Sequence, residues 1–172
     1  MGRGKRITGA AVAALVVVTG YGCDRPGGEP AEFAPAVAFD TAAVLVETET
    51  DTFRLSVELA ETPEQKAYGL MERPHLPEEH GMLFLYAEPQ PAGSGFWMFR
   101  TRIPLDIAFL DDEGRIVAIL AMEPCESPNP AVCRTYSPGV PYSAALEVNR
   151  GYFERRGVEV GDRVVRLNGE GG

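Results

Sequence analysis

The stretch LDIAFLDDEGRIVAILAM, residues 105–122, contains two apolar runs joined by an acidic turn. Asp111-Asp112-Glu113-Gly114 is typical of a tight hairpin turn, because its glycine can take a positive φ. Upstream, Phe53-Arg54-Leu55-Ser56-Val57-Glu58-Leu59 alternates apolar and polar residues at period two, which indicates a half-buried strand. These two stretches predict a β-rich domain.

Other short strands are expected on both sides of this hairpin, at 82–86, 96–99, 143–148 and 163–167. A capping-box pattern at 62–65 predicts a short helix that ends near Met71, and a second helix is expected over 150–156. About seven strands with two short helices predict an α+β, mostly β domain. Its sheet would be small, curled, antiparallel or mixed, or closed into a barrel-like form.

The chain begins with the layout of a secretory signal. Three basic residues at 3–6 precede an apolar run over 10–18, and no acidic residue occurs before Asp24. The run has about half the length that a membrane-spanning helix needs. A cleaved signal is therefore the stronger interpretation, and a permanent membrane helix is the weaker one.

Residues 20–23, Gly-Tyr-Gly-Cys, resemble the lipobox of bacterial lipoproteins, with Gly20 in place of the usual aliphatic residue. The resemblance implies a signal peptide over 1–22, lipidation of Cys23, export, and a membrane anchor made by the acyl chain. Ordinary secretion with a free cysteine is the alternative. Residues 23–43, rich in Pro and Gly, are expected to be a flexible acidic tether, 44–168 the domain, and 169–172 a disordered tail.

The charge balance disfavours nucleic acid as a partner. The chain has 25 acidic and 16 basic residues, a net charge of −9. Three basic residues lie in the signal, so the mature chain carries 13 − 25 = −12. Phosphate backbones repel such a chain. The sequence has no Walker loop or dinucleotide fingerprint, and no cofactor is predicted.

If the first cysteine carries lipid, two cysteines remain. Cys125 and Cys133 then form an even pair in an oxidising compartment, which favours a disulfide. A metal site is the alternative, but it would need further ligands, and His75 and His80 are distant in sequence. No metal site is predicted. The proline-rich segment 123–141 is expected to be a long surface loop held by this disulfide.

The order of several motifs matches one known family. These motifs are Gly69-Leu70-Met71-Glu72-Arg73, Gly81-Met82-Leu83-Phe84, Phe96-Trp97-Met98, Thr101, Ile103-Pro104-Leu105-Asp106-Ile107, Phe109 and Leu146-Glu147-Val148-Asn149-Arg150-Gly151. Over residues 53–167 the chain resembles DUF192, a family of domains of unknown function. The resemblance implies a compact β-rich fold and names no activity or substrate. Arg100 stands where the family commonly has asparagine.

Four costly or bulky residues stand among apolar neighbours: Arg73, Trp97, Asp106 and Glu147. We expect them to border one concave ligand-binding surface near the disulfide-held loop 123–141. Arg73 would counter the charge of at least one of the two carboxylates. Asp106 and Glu147 could act as an acid/base pair. The alternative is that each pairs with an arginine, for example Arg73 or Arg102, or caps backbone groups. Trp97, with three nearby methionines, could line a ligand pocket or pack in the core.

Three classes of function remain open. A lipid-anchored binding or accessory module of the cell envelope is favoured, because the sequence contains no strong catalytic motif. An envelope hydrolase using Asp106 and Glu147 is the second, and a structural stabiliser of an envelope assembly is the third. The distance between the two carboxylates, and whether a cleft reaches them, separates the first class from the second.

Overall fold

The computed structural model describes residues 1–2 and 33–167. The predicted signal from residue 3 onward, Cys23, the first part of the tether and the C-terminal tail lie outside the described residues. Within 33–167, no helix is long and apolar enough to cross a membrane.

Seven strands form one curled, mixed sheet, a half-barrel, with the spatial order β6-β5-β8-β3-β2-β1-β9. The strands of this sheet are β1 (Asp40–Glu47), β2 (Thr52–Ala60), β3 (His80–Gln90), β5 (Leu105–Leu110), β6 (Ile116–Met122), β8 (Tyr142–Asn149) and β9 (Arg163–Leu167). Two further short strands, β4 (Phe96–Trp97) and β7 (Thr135–Tyr136), pair separately. The mostly β, α+β prediction is confirmed.

Most neighbouring strands are antiparallel, as alternating short strands joined by turns predict. β2 and β3 pair in parallel, so the chain between them must cross over. That crossover carries helix α1 (Pro63–Tyr68), whose capping box forms as predicted: Thr62 Oγ1 accepts from the Gln65 N–H, and Gln65 Oε1 accepts from the Thr62 N–H. The helix ends at Tyr68 rather than near Met71, because Gly69 leaves the helical region with a φ of 52°.

Strand β1 begins at Asp40 and pairs with β2 over its whole length and with β9 from Ala43 to Glu47. The domain therefore starts before residue 44, the boundary that the sequence predicts. The acidic and small residues at the start of β1 show no clear alternation, so the sequence pattern does not predict a strand there. Residues 40–43 belong to the sheet because their backbone groups are paired there.

The central strands β5 and β8 are covered on both faces, and each face of the sheet has its own apolar cluster. One cluster contains Val44, Leu55, Val148 and the residues Tyr152 and Phe153 of α2 (Tyr152–Arg155). The other lies between the sheet and the segments around α1 and β4. All six residues of β5 are buried, because this strand contributes to both clusters. Polar side chains on β5 and β8 are consequently placed in the interior.

Candidate functional site

Asp106 is a buried carboxylate with partners. It pairs across the sheet with Val148 and is 6% exposed. Its Oδ2 accepts a hydrogen bond of 2.7 Å from the Gly151 N–H, and its Oδ1 lies 3.5 Å from Arg150 Nε. Burial raises the pKa of this carboxyl, while the Gly151 hydrogen bond and the Arg150 charge oppose the rise. Asp106 thus connects β5 to the start of α2.

Glu147 is a buried carboxyl group without partners. It pairs across the sheet with Ile107 and Met82 and is 4% exposed. Among the described residues its carboxyl has no hydrogen bond or ion pair, and burial raises its pKa to about 8. The group therefore carries a proton at neutral pH, since burial disfavours the charged form.

Asp106 and Glu147 lie on opposite faces of the sheet. Residues that pair directly share a face, and successive residues alternate. Asp106 therefore faces the same side as Val148 in one apolar cluster, and Glu147 the same side as Ile107 in the other. The predicted common surface for all four residues, and the predicted acid/base pair, are wrong. Cross-strand register decides the face, and the sequence does not supply it.

Arg73 forms its ion pair with Glu58 of β2, and so does not counter either predicted carboxylate. Its Nε is buried with no partner among the described residues. Arg102, the other arginine considered, pairs with Glu72. The charge beside Asp106 comes instead from Arg150, whose Nε lies 3.5 Å from Asp106 Oδ1.

Trp97 and Glu147 do come together, at a small cavity that we name the Glu147 pocket. Its volume is about 20 Å³, enough for one water-sized group. Trp97 is 44% exposed, so the pocket lies next to the surface beside this ring. The pocket is lined by Lys66, Ala67, Tyr68, Gly69, Leu70, Met71, Phe84, Phe96, Trp97, Thr101 and Glu147.

A larger cavity of about 480 Å³ shares Thr101 with the Glu147 pocket. We name it the stapled cleft, because Cys125 on its wall is at disulfide distance from Cys133, with Cα atoms 5.8 Å apart. The Met98 carbonyl accepts from the N–H groups of Thr101 and Cys125, which joins the two sides. The cleft is lined by Glu72, Phe99, Arg100, Thr101, Arg102, Cys125, Glu126, Ser127 and Pro128.

Backbone strain is concentrated at the stapled cleft. Glu72 and Arg100, with φ of 61° and 56°, are the described non-glycine residues at positive φ. The Glu72 N–H donates to the Arg100 carbonyl at 2.8 Å, and Arg100 Nε lies 3.1 Å from Glu72 Oε1. Glu72 also pairs with Arg102. Such conformations cost about 1 kcal/mol or more each, and they persist where the surrounding structure enforces them.

The sequence pattern does not single out Glu72, Arg100 and Thr101 as a group. One signal was present: the family commonly has asparagine at the position of Arg100, and asparagine tolerates positive φ better than other non-glycine residues. Within residues 33–167, no three His, Cys, Asp or Glu side chains are placed to hold a metal ion.

The family profile of DUF192, described as an uncharacterized ACR, matches residues 44–166. This chain belongs to the DUF192 family. No curated protein matches it. Among solved structures it is similar to a protein from Sinorhizobium meliloti 1021, described provisionally as a transcription regulator. The identity is 34%, the TM-score is 0.67, and the match covers 76% of this chain and 96% of that one.

A second similar structure is a protein of unknown function from Novosphingobium aromaticivorans DSM 12444. Its identity is also 34% and its TM-score 0.65, and the match covers 77% of this chain and 93% of that one. Both proteins share the fold with this chain, and the matches cover most of the domain. Neither description names a ligand.

Proposed function

We propose that this DUF192 protein is a lipid-anchored binding module of the cell envelope, and that its ligand occupies the stapled cleft. The observation that carries the proposal is the pairing of Glu72 and Arg100, both at positive φ, on the wall of this cleft. Strained, locally enforced backbone is a feature of ligand sites, where it fixes side chains before the ligand arrives.

The size and lining of the cleft support a small ligand. A volume of about 480 Å³ falls in the usual range of ligand pockets. Arg100 and Arg102 share the single carboxylate of Glu72, so their donors are only partly used. The Phe99 and Trp97 rings lie 5.6 Å apart, tilted by 41°, and offer apolar surface beside these donors. A glycan or peptide fragment of the envelope, with polar groups around an apolar face, fits this lining.

Nucleic acid is a poor fit, even though one related structure is described as a transcription regulator. The chain carries a net charge of −9, and the cleft contains two glutamates beside its two arginines. Phosphate recognition requires an excess of basic side chains.

The cleft can be tested with soluble peptidoglycan fragments as the probe. Nuclear magnetic resonance of the domain should show shift changes concentrated at 99–102 and 125–128. Arg102→Gln should weaken binding by about tenfold, since it removes charged hydrogen-bond donors. Arg115→Gln, at an exposed arginine outside the cleft, is the matched control and should bind like the parent. Shift changes elsewhere, or equal binding by both variants, would exclude the stapled cleft.

The anchor can be tested by fractionation. Cys23→Ala should move the protein from the membrane to the soluble fraction, or leave an unprocessed precursor, because it removes the thiol that would be lipidated. Cys125→Ala should leave membrane association unchanged. Membrane partition and processing that are the same in Cys23→Ala as in the parent would contradict lipidation.

A further inference from the structure

Glu147 stands out because it is a buried carboxyl group that faces a cavity and has no partner among the described residues. Within residues 33–167, the enclosed side-chain atom that lacks a partner is Arg73 Nε, so the Glu147 oxygens reach the cavity and are not sealed in the core. Asp106, one strand away, has its partners in Gly151 and Arg150. The cavity beside Glu147 has room for one water-sized group, which would supply the missing partner.

The walls of the Glu147 pocket favour a cation over a neutral group. Four aromatic residues, Tyr68, Phe84, Phe96 and Trp97, line the pocket together with the carboxyl. Aromatic faces attract ammonium groups, and a carboxylate adds full opposite charge. The protein already places one ammonium group in such a setting nearby: Lys66 Nζ lies 4.5 Å from the centre of the Tyr86 ring.

The size of the pocket limits what the cation can be. A primary ammonium is about the size of a water molecule and has three N–H donors, whereas a guanidinium or a quaternary ammonium is larger than a space of about 20 Å³. The rest of such a ligand would have to extend outward. Thr101 lines both this pocket and the stapled cleft, so a ligand reaching from one to the other passes this residue.

We propose that the Glu147 pocket binds the primary ammonium group of the ligand that occupies the stapled cleft, such as a peptide or an amino sugar. This inference rests on the proposed function and adds the class of ligand. On binding, the Glu147 carboxyl releases its proton to solvent, and the resulting carboxylate pairs with the ammonium. The titratable groups that line the pocket with it are Lys66 and Tyr68 of α1, and Tyr86 on β3 lies close enough for the Glu147 charge to act on it.

Trp97 provides a direct readout, since it is the single tryptophan of the chain and lines the pocket. The experiment titrates the protein with methylammonium at constant ionic strength and follows the fluorescence of Trp97. Tetramethylammonium, which has equal charge but no N–H group and a larger volume, is the control probe. We expect a saturable change with methylammonium only. No saturable change, or the same response to both probes, would overturn the proposal.

Two variants assign the binding to Glu147. Glu147→Gln keeps the shape of the protonated side chain but cannot become charged, and should weaken methylammonium binding by about tenfold or more. Asp106→Asn changes the buried carboxylate on the opposite face and should leave the binding constant unchanged. Equal affinity in Glu147→Gln and in the parent would overturn the proposal.

A second measurement does not depend on the folding of a variant. In parent protein labelled with carbon-13, methylammonium should lower the pKa of the Glu147 carboxyl, since a bound cation favours its charged form. An unchanged pKa at saturation would overturn the proposal. Binding seen only in Lys66→Met would also overturn it, because Lys66 would then be the natural occupant.

Failure of the ammonium pocket can be distinguished from failure of the ligand proposed for the stapled cleft. If peptidoglycan fragments bind the parent and Glu147→Gln equally, the cleft stands and the ammonium pocket fails. If methylammonium binds at Glu147 while the fragments do not bind at all, the pocket stands and the proposed ligand of the cleft fails.

Discussion

Asp106 and Glu147 are buried carboxyl groups on adjacent strands, yet their surroundings differ in every respect that matters for chemistry. Asp106 accepts a backbone hydrogen bond, lies near an arginine and joins β5 to α2. Glu147 faces a small aromatic pocket and lacks a described partner. Both carboxyls have raised pKa values, but only that of Asp106 is held back by nearby donors and positive charge.

The difference separates a structural carboxylate from a candidate binding group. A satisfied carboxylate holds two elements together, and its loss is a loss of stability. A carboxyl group buried without a partner lowers stability when it is charged, and its retention calls for another reason. In this DUF192 domain we place that reason in the Glu147 pocket. Substitutions at the two positions should therefore have opposite consequences.

The largest expected effect is the dependence of stability on pH. The pKa of Glu147 is about 8 in the folded protein and about 4.5 in a free side chain. As the pH rises between these values, the unfolded chain releases this proton while the folded protein keeps it. The free energy of unfolding should therefore fall by up to about 1.4 kcal/mol per pH unit through this group.

Glu147→Gln should remove this slope and be more stable than the parent near pH 8. Urea denaturation of both proteins at a series of pH values measures it, and the difference between them cancels the other titrating groups. A parent protein that gains stability relative to Glu147→Gln on going from pH 5 to pH 8 would contradict the raised pKa.

The next effect tests whether the two regions are independent. Reduction of the Cys125–Cys133 pair should lower the free energy of unfolding by about 2.5 kcal/mol on the loop-entropy estimate. Hydrogen exchange should then become faster at 99–102, which borders the stapled cleft, and stay unchanged in α2 beside Asp106. Equal acceleration in both places would show that the regions are coupled.

A somewhat smaller loss is expected at Asp106. Asp106→Ala removes the acceptor of the Gly151 N–H and should destabilise the protein by about 1–3 kcal/mol. Asp106→Asn retains an acceptor oxygen and should lose less. Thermal or urea denaturation near pH 7 provides the comparison. An Asp106→Ala protein as stable as the parent would refute the structural role.

The smallest effect concerns strain at the stapled cleft. Arg100→Asn should stabilise the domain by about 0.5–1 kcal/mol, because asparagine tolerates the φ of 56° better than arginine. The lost pair with Glu72 costs little, since the Arg100 side chain is 61% exposed. The same variant should bind the cleft ligand more weakly. An Arg100→Asn protein that is less stable than the parent would show that the pair with Glu72 outweighs the strain.

The sequence predicted the β-rich domain and most of its strands, because alternation at period two and turn residues are local signals. It also located the disulfide-held loop and the capping box of α1. Strand β1 was missed because its first residues do not alternate clearly. The end of α1 was misplaced because Gly69 was not recognised as the residue that stops it.

The site was predicted less well than the fold, for a physical reason. Of the four unusual residues, Arg73, Asp106 and Glu147 are buried and Trp97 is 44% exposed. Which of them come together depends on the register between distant strands. A shift of one residue moves a side chain to the other face of the sheet, and nothing local to Asp106 or Glu147 fixes that register. Likewise, the pairing of Arg73 with Glu58 arises from tertiary packing.

The most direct test of the contrast is to measure the pKa values of Asp106 and Glu147 in one sample, by the pH dependence of their side-chain carboxyl carbon-13 shifts. Glu147 should titrate near pH 8. Addition of methylammonium should lower the pKa of Glu147 and leave the pKa of Asp106 unchanged. A Glu147 carboxyl that titrates near 4.5 with or without methylammonium would contradict both predictions.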